Sequence, residues 1–124
     1  MDALPAIVWS DEARRELPVR ARSRRLVIDY FAARCCGRNV SVGDLHVRWS
    51  PPSQPIADEF VPLATPMALE AYVQRDLIPV LEAARGRIVM HGWGRLRRPV
   101  VELAEGAVWL DFIAACRARS PLSH

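Results

Sequence analysis

Residues 26–49, LVIDYFAARCCGRNVSVGDLHVRW, decide the class of fold. Leu26 to Ala32 is rich in β-branched and aromatic side chains (Val27, Ile28, Tyr30 and Phe31) and is predicted as a largely buried strand. Arg34-Cys35-Cys36-Gly37-Arg38-Asn39 reads as a loop that continues as an edge toward Gly43. From Asp44 to Trp49 the chain alternates cleanly, with Leu45, Val47 and Trp49 on one face and His46 and Arg48 on the other. That is the signature of a half-buried strand. Strands that follow one another in this way argue for an antiparallel or mixed sheet over a doubly wound parallel one.

Working outward, Ala6-Ile7-Val8-Trp9 reads as a short strand, and Ser10-Asp11-Glu12 as a helix start. The Ser10 hydroxyl can cap free amides, and the two acids suit the positive end of the helix dipole. This helix is expected to stop near Leu17, because Pro18 disfavours helical geometry in the residue before it. Ser50-Pro51-Pro52-Ser53-Gln54-Pro55 is a loop. Phe60 to Leu63 and Leu69 to Gln74 read as strands. Asp76 is expected to cap a helix from Leu77 to about Arg85, with Pro79 tolerated in its first turn and Gly86 stopping it.

Arg87 to Trp93 and Arg98 to Leu103 are predicted as two further strands joined by Gly92-Trp93-Gly94-Arg95-Leu96-Arg97. The tail, about 109–119, is helical by its apolar spacing at Trp109, Phe112, Ile113 and Cys116. The expectation is a single α+β domain over residues 1–124, mostly β, with a mixed, twisted sheet and two or three short helices, the last at the C-terminus.

At 124 residues and 51% hydrophobic content, the chain can bury a core without disulfides or a structural metal. No apolar run approaches the ~20 residues that span a bilayer. Met1-Asp2-Ala3-Leu4-Pro5 carries an acid where a secretion signal carries positive charge. Three cysteines, two of them adjacent, do not make a disulfide scaffold and fit free thiols in a reducing compartment. Together these features place the protein in the cytoplasm with no membrane association.

All 17 basic residues are arginine, against 14 acids, for a formal charge of +3. The dense cluster is Arg20, Arg22, Arg24 and Arg25, with Arg14 and Arg15 just upstream. No aromatic ladder or known motif accompanies the charge, so nucleic acid is not the expected partner.

Cys35 and Cys36 carry the first chemical signal. Arg34 and Arg38 flank them, and nearby positive charge raises the thiolate fraction that metal ligation and redox chemistry both require. Gly37 would let the backbone approach a bound group. The alternative is that these thiols pack as small hydrophobes. Cys116 lies on the apolar stripe of the tail helix, where packing is the simpler role, and helps as a ligand only if that helix folds back. His91 could join Cys35 and Cys36 if the sheet brings the loops together. No C-x-x-C or H-x-x-x-H spacing supports zinc, and the familiar nucleophile, phosphate-loop and metalloprotease signatures are absent. Asp29, an acid inside a buried-looking strand, is expected to pair with an arginine or face solvent rather than to act as a base.

Taken in order, these segments resemble the A-type iron–sulfur carrier family, the HesB/IscA-like fold. Ile7-Val8-Trp9-Ser10-Asp11-Glu12-Ala13 matches its opening strand, cap and helix. Leu26-Val27-Ile28-Asp29, leading to Cys35-Cys36-Gly37, matches its hydrophobic strand and cysteine–glycine loop. The match continues through the short helix within 69–81 to the final pair of strands and covers about residues 6–104. The family's C-x-C ligand pair would fall near Pro99-Val100-Val101, where this chain has no cysteine.

The resemblance implies a HesB-like pseudo-barrel and a non-enzymatic accessory protein of iron–sulfur or metal-cofactor metabolism. An iron–sulfur cluster or iron would be held by Cys35 and Cys36, with Cys116 or His91 as helpers. A homodimer would be called for, because one chain offers too few convergent ligands for the usual four thiolates. The residues leave two alternatives open. One is a thiol redox sensor. The other is a metal-free adaptor subunit that binds another protein through Trp93, Arg95 and Arg97, a pairing of residue types that matches interface anchors.

Overall fold

In the computed structural model, residues 7–32, 43–109 and 112 are described, and the following statements concern these residues. The element order is β1 (Ile7–Trp9), α1 (Asp11–Ala21), β2 (Arg25–Ala32), β3 (Gly43–Ser50), β4 (Phe60–Leu63), β5 (Ala71–Gln74), α2 (Leu77–Ala84), β6 (Gly86–His91) and β7 (Arg98–Leu103). Helical residues follow at 106–109 and at 112, together labelled α3. The α+β class and the predominance of strands hold.

The single mixed sheet does not hold. The strands form two mixed sheets, ordered β3-β2-β5-β4 and β1-β6-β7, and the described residues close no barrel. In the larger sheet β2 runs parallel to β5 and antiparallel to β3, with Arg25 opposite Ser50 and Ala32 opposite Gly43. In the smaller one β1 runs parallel to β6, and β7 returns antiparallel. β3 and β7 lie against each other at the facing edges without hydrogen-bonding as a ladder. Pro99, near the start of β7, has no N–H to offer a neighbour, which suits a strand left at a sheet edge.

The core lies where helices cover the sheets. Leu26, Val27 and Ile28 are closed off on both faces of β2. Leu26 and Ile28 belong to one buried body with Ala13 and Leu17 of α1, Leu77 and Leu81 of α2, and Ile7 and Ile88 of the smaller sheet. Ala13, Leu17 and Ala21 form the buried stripe of α1, each one helical turn from the next. At the far end of β2, Tyr30 packs edge-on against Trp109 and Phe112 of α3, which stack on each other at 5.4 Å. Trp109 and Phe112, the first two residues of the expected apolar stripe, therefore face the core, while Ile113 lies outside the described residues.

Among the element ends that differ from the sequence expectation, three show what overrode the local signal. Helix α1 continues through Pro18 to Ala21. The bond lost at the Arg14 carbonyl is outweighed by the burial of Leu17 and Ala21. The Arg24 guanidinium also donates to the Arg20 and Ala21 carbonyls and so ties down the last turn. Asp76 makes no side-chain cap on α2. It is already helical, and the Ile78 N–H is taken by the Arg75 carbonyl. Arg85, at φ 58°, ends α2 in the left-handed region, so Gly86 opens β6 instead of stopping the helix. A side chain at Gly86 would press on Leu81 at 3.1 Å, which explains a glycine there.

Candidate functional site

The basic residues that the sequence separates into two groups come together in space. The exposed face of α1 supplies Arg15 and Arg20, and the turn that follows it supplies Arg22 and Arg24. Across from them, Arg95, Arg97 and Arg98 come from the β6–β7 connection and the start of β7. Between the two lies a groove of about 730 Å³, with Trp49 and Val19 as its apolar lining and Glu16 as its one carboxylate. The spacing of Arg15, Glu16, Val19 and Arg20 along α1 puts them on one face, opposite the buried stripe.

One guanidinium holds the groove's second wall in place. Arg97 donates from Nε to Glu16 Oε1 at 2.7 Å and from Nη2 to Glu16 Oε2 at 2.9 Å, a side-on bidentate pair. The same Nη2 reaches Glu12 Oε1 at 3.2 Å, and Nη1 donates to the Gly92 carbonyl at 3.1 Å. The β6–β7 connection is thereby tied to a helix more than eighty residues earlier in the chain. The hydrogen bonds from Arg97, reinforced by the charges of Arg97 and Arg20, hold the Glu16 carboxyl below the usual carboxylate range against a partial desolvation cost. Reciprocally, the Glu16 hydrogen bond raises the Arg97 guanidinium above its ordinary value.

Inside the connection, Gly94–Leu96 forms a 3-10 turn, closed by Leu96 N–H to the Trp93 carbonyl at 2.8 Å. Gly92 sits at φ +96°, and a side chain there would meet the Leu96 carbonyl oxygen at 2.5 Å. The glycine before Trp93 is thus required by both the backbone angle and the close approach. The result is a defined turn that places apolar side chains in solvent. Trp93 is 86% exposed and Leu96 76%, and across the groove Val19 is 75% exposed.

The sequence-predicted site residues divide accordingly. Trp93 projects from the connection as expected, and Arg95 lines the groove beside it. Arg97, read from the sequence as a partner contact, is engaged by Glu12 and Glu16 and acts by positioning the connection. His91 ends β6 opposite Arg98, with Nε2 at 3.2 Å from Glu102 Oε2. Cys35, Cys36 and Cys116 lie outside the described residues. Among the described residues, no three His, Cys, Asp or Glu side chains converge as a metal site. Asp29 pairs with Arg48 at 3.2 Å, as its reading anticipated.

The groove sits at the Arg25–Ser50 end of the β2–β3 pair, through Arg24 and Trp49. The ten-residue connection that contains Cys35 and Cys36 leaves from the Ala32–Gly43 end. Seven residue steps separate these ends along β2, about 23 Å at the usual rise.

The sequence did not reveal that Arg95 and Arg98 face the arginines of α1. Only the periodicity of Arg15, Glu16, Val19 and Arg20 hinted at a charged face there. No helix among the described residues is long and apolar enough to cross a membrane. No protein-family model matches the chain, and no curated protein matches it in sequence.

Proposed function

We propose that this protein is a non-catalytic adaptor of the cytoplasm that docks another protein on the face formed by the β6–β7 connection and α1. The observation that carries the reading is Trp93, 86% exposed on a turn that Arg97 braces against α1, with Leu96 exposed on the same turn and Val19 exposed on the α1 wall of the groove. A large aromatic left in water on a braced turn costs hydration without adding to the core, and Trp beside Arg is the composition of interface anchors. Trp93 and Leu96 supply the apolar contact, Arg95 adds charge at the rim, and Arg97 positions all three.

The test is capture of a binding protein by the wild-type chain and by the Trp93→Ala/Leu96→Ala double variant. Wild type retains a protein in stoichiometric amount that the variant releases. Equal retention by both would overturn the reading. The Cys35→Ser/Cys36→Ser variant retains that binding if docking is the function.

A second reading has its own support. Strand β2, the most buried of the larger sheet, leads directly into the connection that carries Cys35 and Cys36 between Arg34 and Arg38, and the Ala32–Gly43 pair closes that connection at its base. In this reading the chain is an accessory protein of iron–sulfur or metal-cofactor metabolism. Cys35 and Cys36 would be the ligands, and Cys116, His91 or a second copy of the chain would complete the set. Iron and acid-labile sulfide in near-integral amounts, measured on anaerobically purified protein and lost in the double serine variant, would establish it. Protein that stays metal-free and resists cluster reconstitution would remove it. Reversible oxidation of the same thiols without metal would mark a redox sensor instead.

A further inference from the structure

The docking reading leaves the chemistry of the partner open, and the groove beside Trp93 supplies it. We infer, resting on that reading, that the partner presents an acidic segment: a run of Asp or Glu side chains that enters the arginine groove, with a bulky apolar residue that packs on Trp93, Leu96 and Val19.

Charge makes the first argument. Seven arginines line the groove against one carboxylate, Glu16, and that carboxylate is held by Arg97. Among the described residues, no carboxylate pairs with Arg15, Arg22, Arg95 or Arg98, and all four are exposed. Cations crowded on one face repel one another unless an anion is shared between them. A chain whose formal charge is only +3 has concentrated its positive charge where a partner would meet it.

The second argument separates a peptide from a nucleic acid. The groove already holds a carboxylate: Glu16 lies side-on to Arg97 in the geometry that an incoming Asp or Glu would adopt on Arg95 or Arg98. Sequence-tolerant binding of single strands relies on successive aromatic platforms. Here the groove's own aromatic, Trp49, is covered by the Arg24 guanidinium at 5.0 Å. Val19 and Leu96, two aliphatic side chains in the open, match a peptide's apolar residue and nothing in a sugar–phosphate backbone.

The experiment measures binding of three labelled probes to the full chain. They are a short glutamate peptide interrupted by leucine and phenylalanine, the same peptide with glutamine for glutamate, and an oligothymidylate of equal charge. Each is titrated against wild type, a groove variant (Arg15→Gln, Arg95→Gln, Arg98→Gln) and an off-groove variant (Arg14→Gln, Arg85→Gln, Arg87→Gln). Both variants lose the same charge from exposed positions, and circular dichroism confirms that both fold.

The expected result is binding of the glutamate peptide alone, weakened by about tenfold in the groove variant and by less than about twofold in the off-groove variant. Equal binding of the glutamine peptide would overturn the acidic partner while leaving docking at Trp93 intact. Equal losses in the two variants would overturn it as diffuse attraction. Tighter binding of the oligothymidylate, with displacement of the peptide, would overturn it in favour of a nucleic acid. Failure of every probe, with Trp93-dependent protein capture preserved, would overturn this inference and not the docking reading.

Discussion

Along β2, Leu26, Val27 and Ile28 are shut away from water on both faces, while residues 92–96 of the β6–β7 connection are all exposed. The strand is held by burial. Each such side chain contributes roughly 1.5–3 kcal/mol when removed from water, with neighbours on every side to share any adjustment. The connection has almost no buried surface to hold it. Its shape rests on two positive-φ glycines, Gly92 and Gly94, one 3-10 turn and the contacts of a single guanidinium. A fold can therefore be over-determined in one region and rest on a few polar atoms in another. The second kind of region is where apolar side chains can be displayed to a partner without being drawn into the core.

The largest expected effect breaks the first half of the comparison. Ile28→Ala opens a cavity in fully buried surroundings and should lower unfolding stability by about 2–5 kcal/mol, read by denaturant titration. A loss under about 1 kcal/mol would mean that β2 is not the packed centre that its burial describes.

The next tests what shapes the connection. Gly92→Ala forces a side chain into the left-handed region and against the Leu96 carbonyl, and is expected to cost about 1–3 kcal/mol. Gly94→Ala supplies the internal control. Gly94 also has positive φ, at +50°, but a side chain there meets nothing within 4 Å, so it should cost less. Equal losses at the two positions would place the strain in the backbone angle alone and remove the steric role assigned to the Leu96 carbonyl.

The two regions also differ in how far the sequence exposes them. β2 and β3 were legible because their patterns are local: a compact apolar run at Leu26–Ile28 for the stretch buried on both faces, and strict alternation for a strand half-buried on a single face. Local rules failed where distant contacts decide. Pro18 was read as a stop, but burial of Leu17 and Ala21 together with the Arg24 caps carries α1 past it. The split into two sheets depends on which edges meet, and nothing in a single strand's pattern records that.

At the site, the Gly92-Trp93-Gly94 turn and its exposed aromatic could be read from the glycines. The partners of Arg97, eighty-one and eighty-five residues away, could not. A guanidinium whose partner lies across the chain looks the same in sequence as one left for solvent. The groove was hidden for the same reason, because its two walls are ordinary clusters of arginine until the fold sets them face to face.

The smallest expected effect sharpens the comparison at its polar end. Glu16 has its carboxyl held below the ordinary value by the Arg97 hydrogen bonds, so its contribution is fully present above the unfolded carboxylate value, about 4.3. It is lost as pH falls through the lowered folded value. Melting temperature measured against pH for wild type and Glu16→Gln should then show a modest, constant gap at neutral pH that narrows in this acid window. Other carboxylates destabilise both proteins as they protonate, so the difference between the two curves is the reading. Modest is the right scale, because the pair is partly exposed and water screens it. A gap that persists unchanged into acid would mean that Glu16 holds the connection by packing of its side chain and not by charge. The connection would then be built on the same principle as β2, and the contrast between the two regions would disappear.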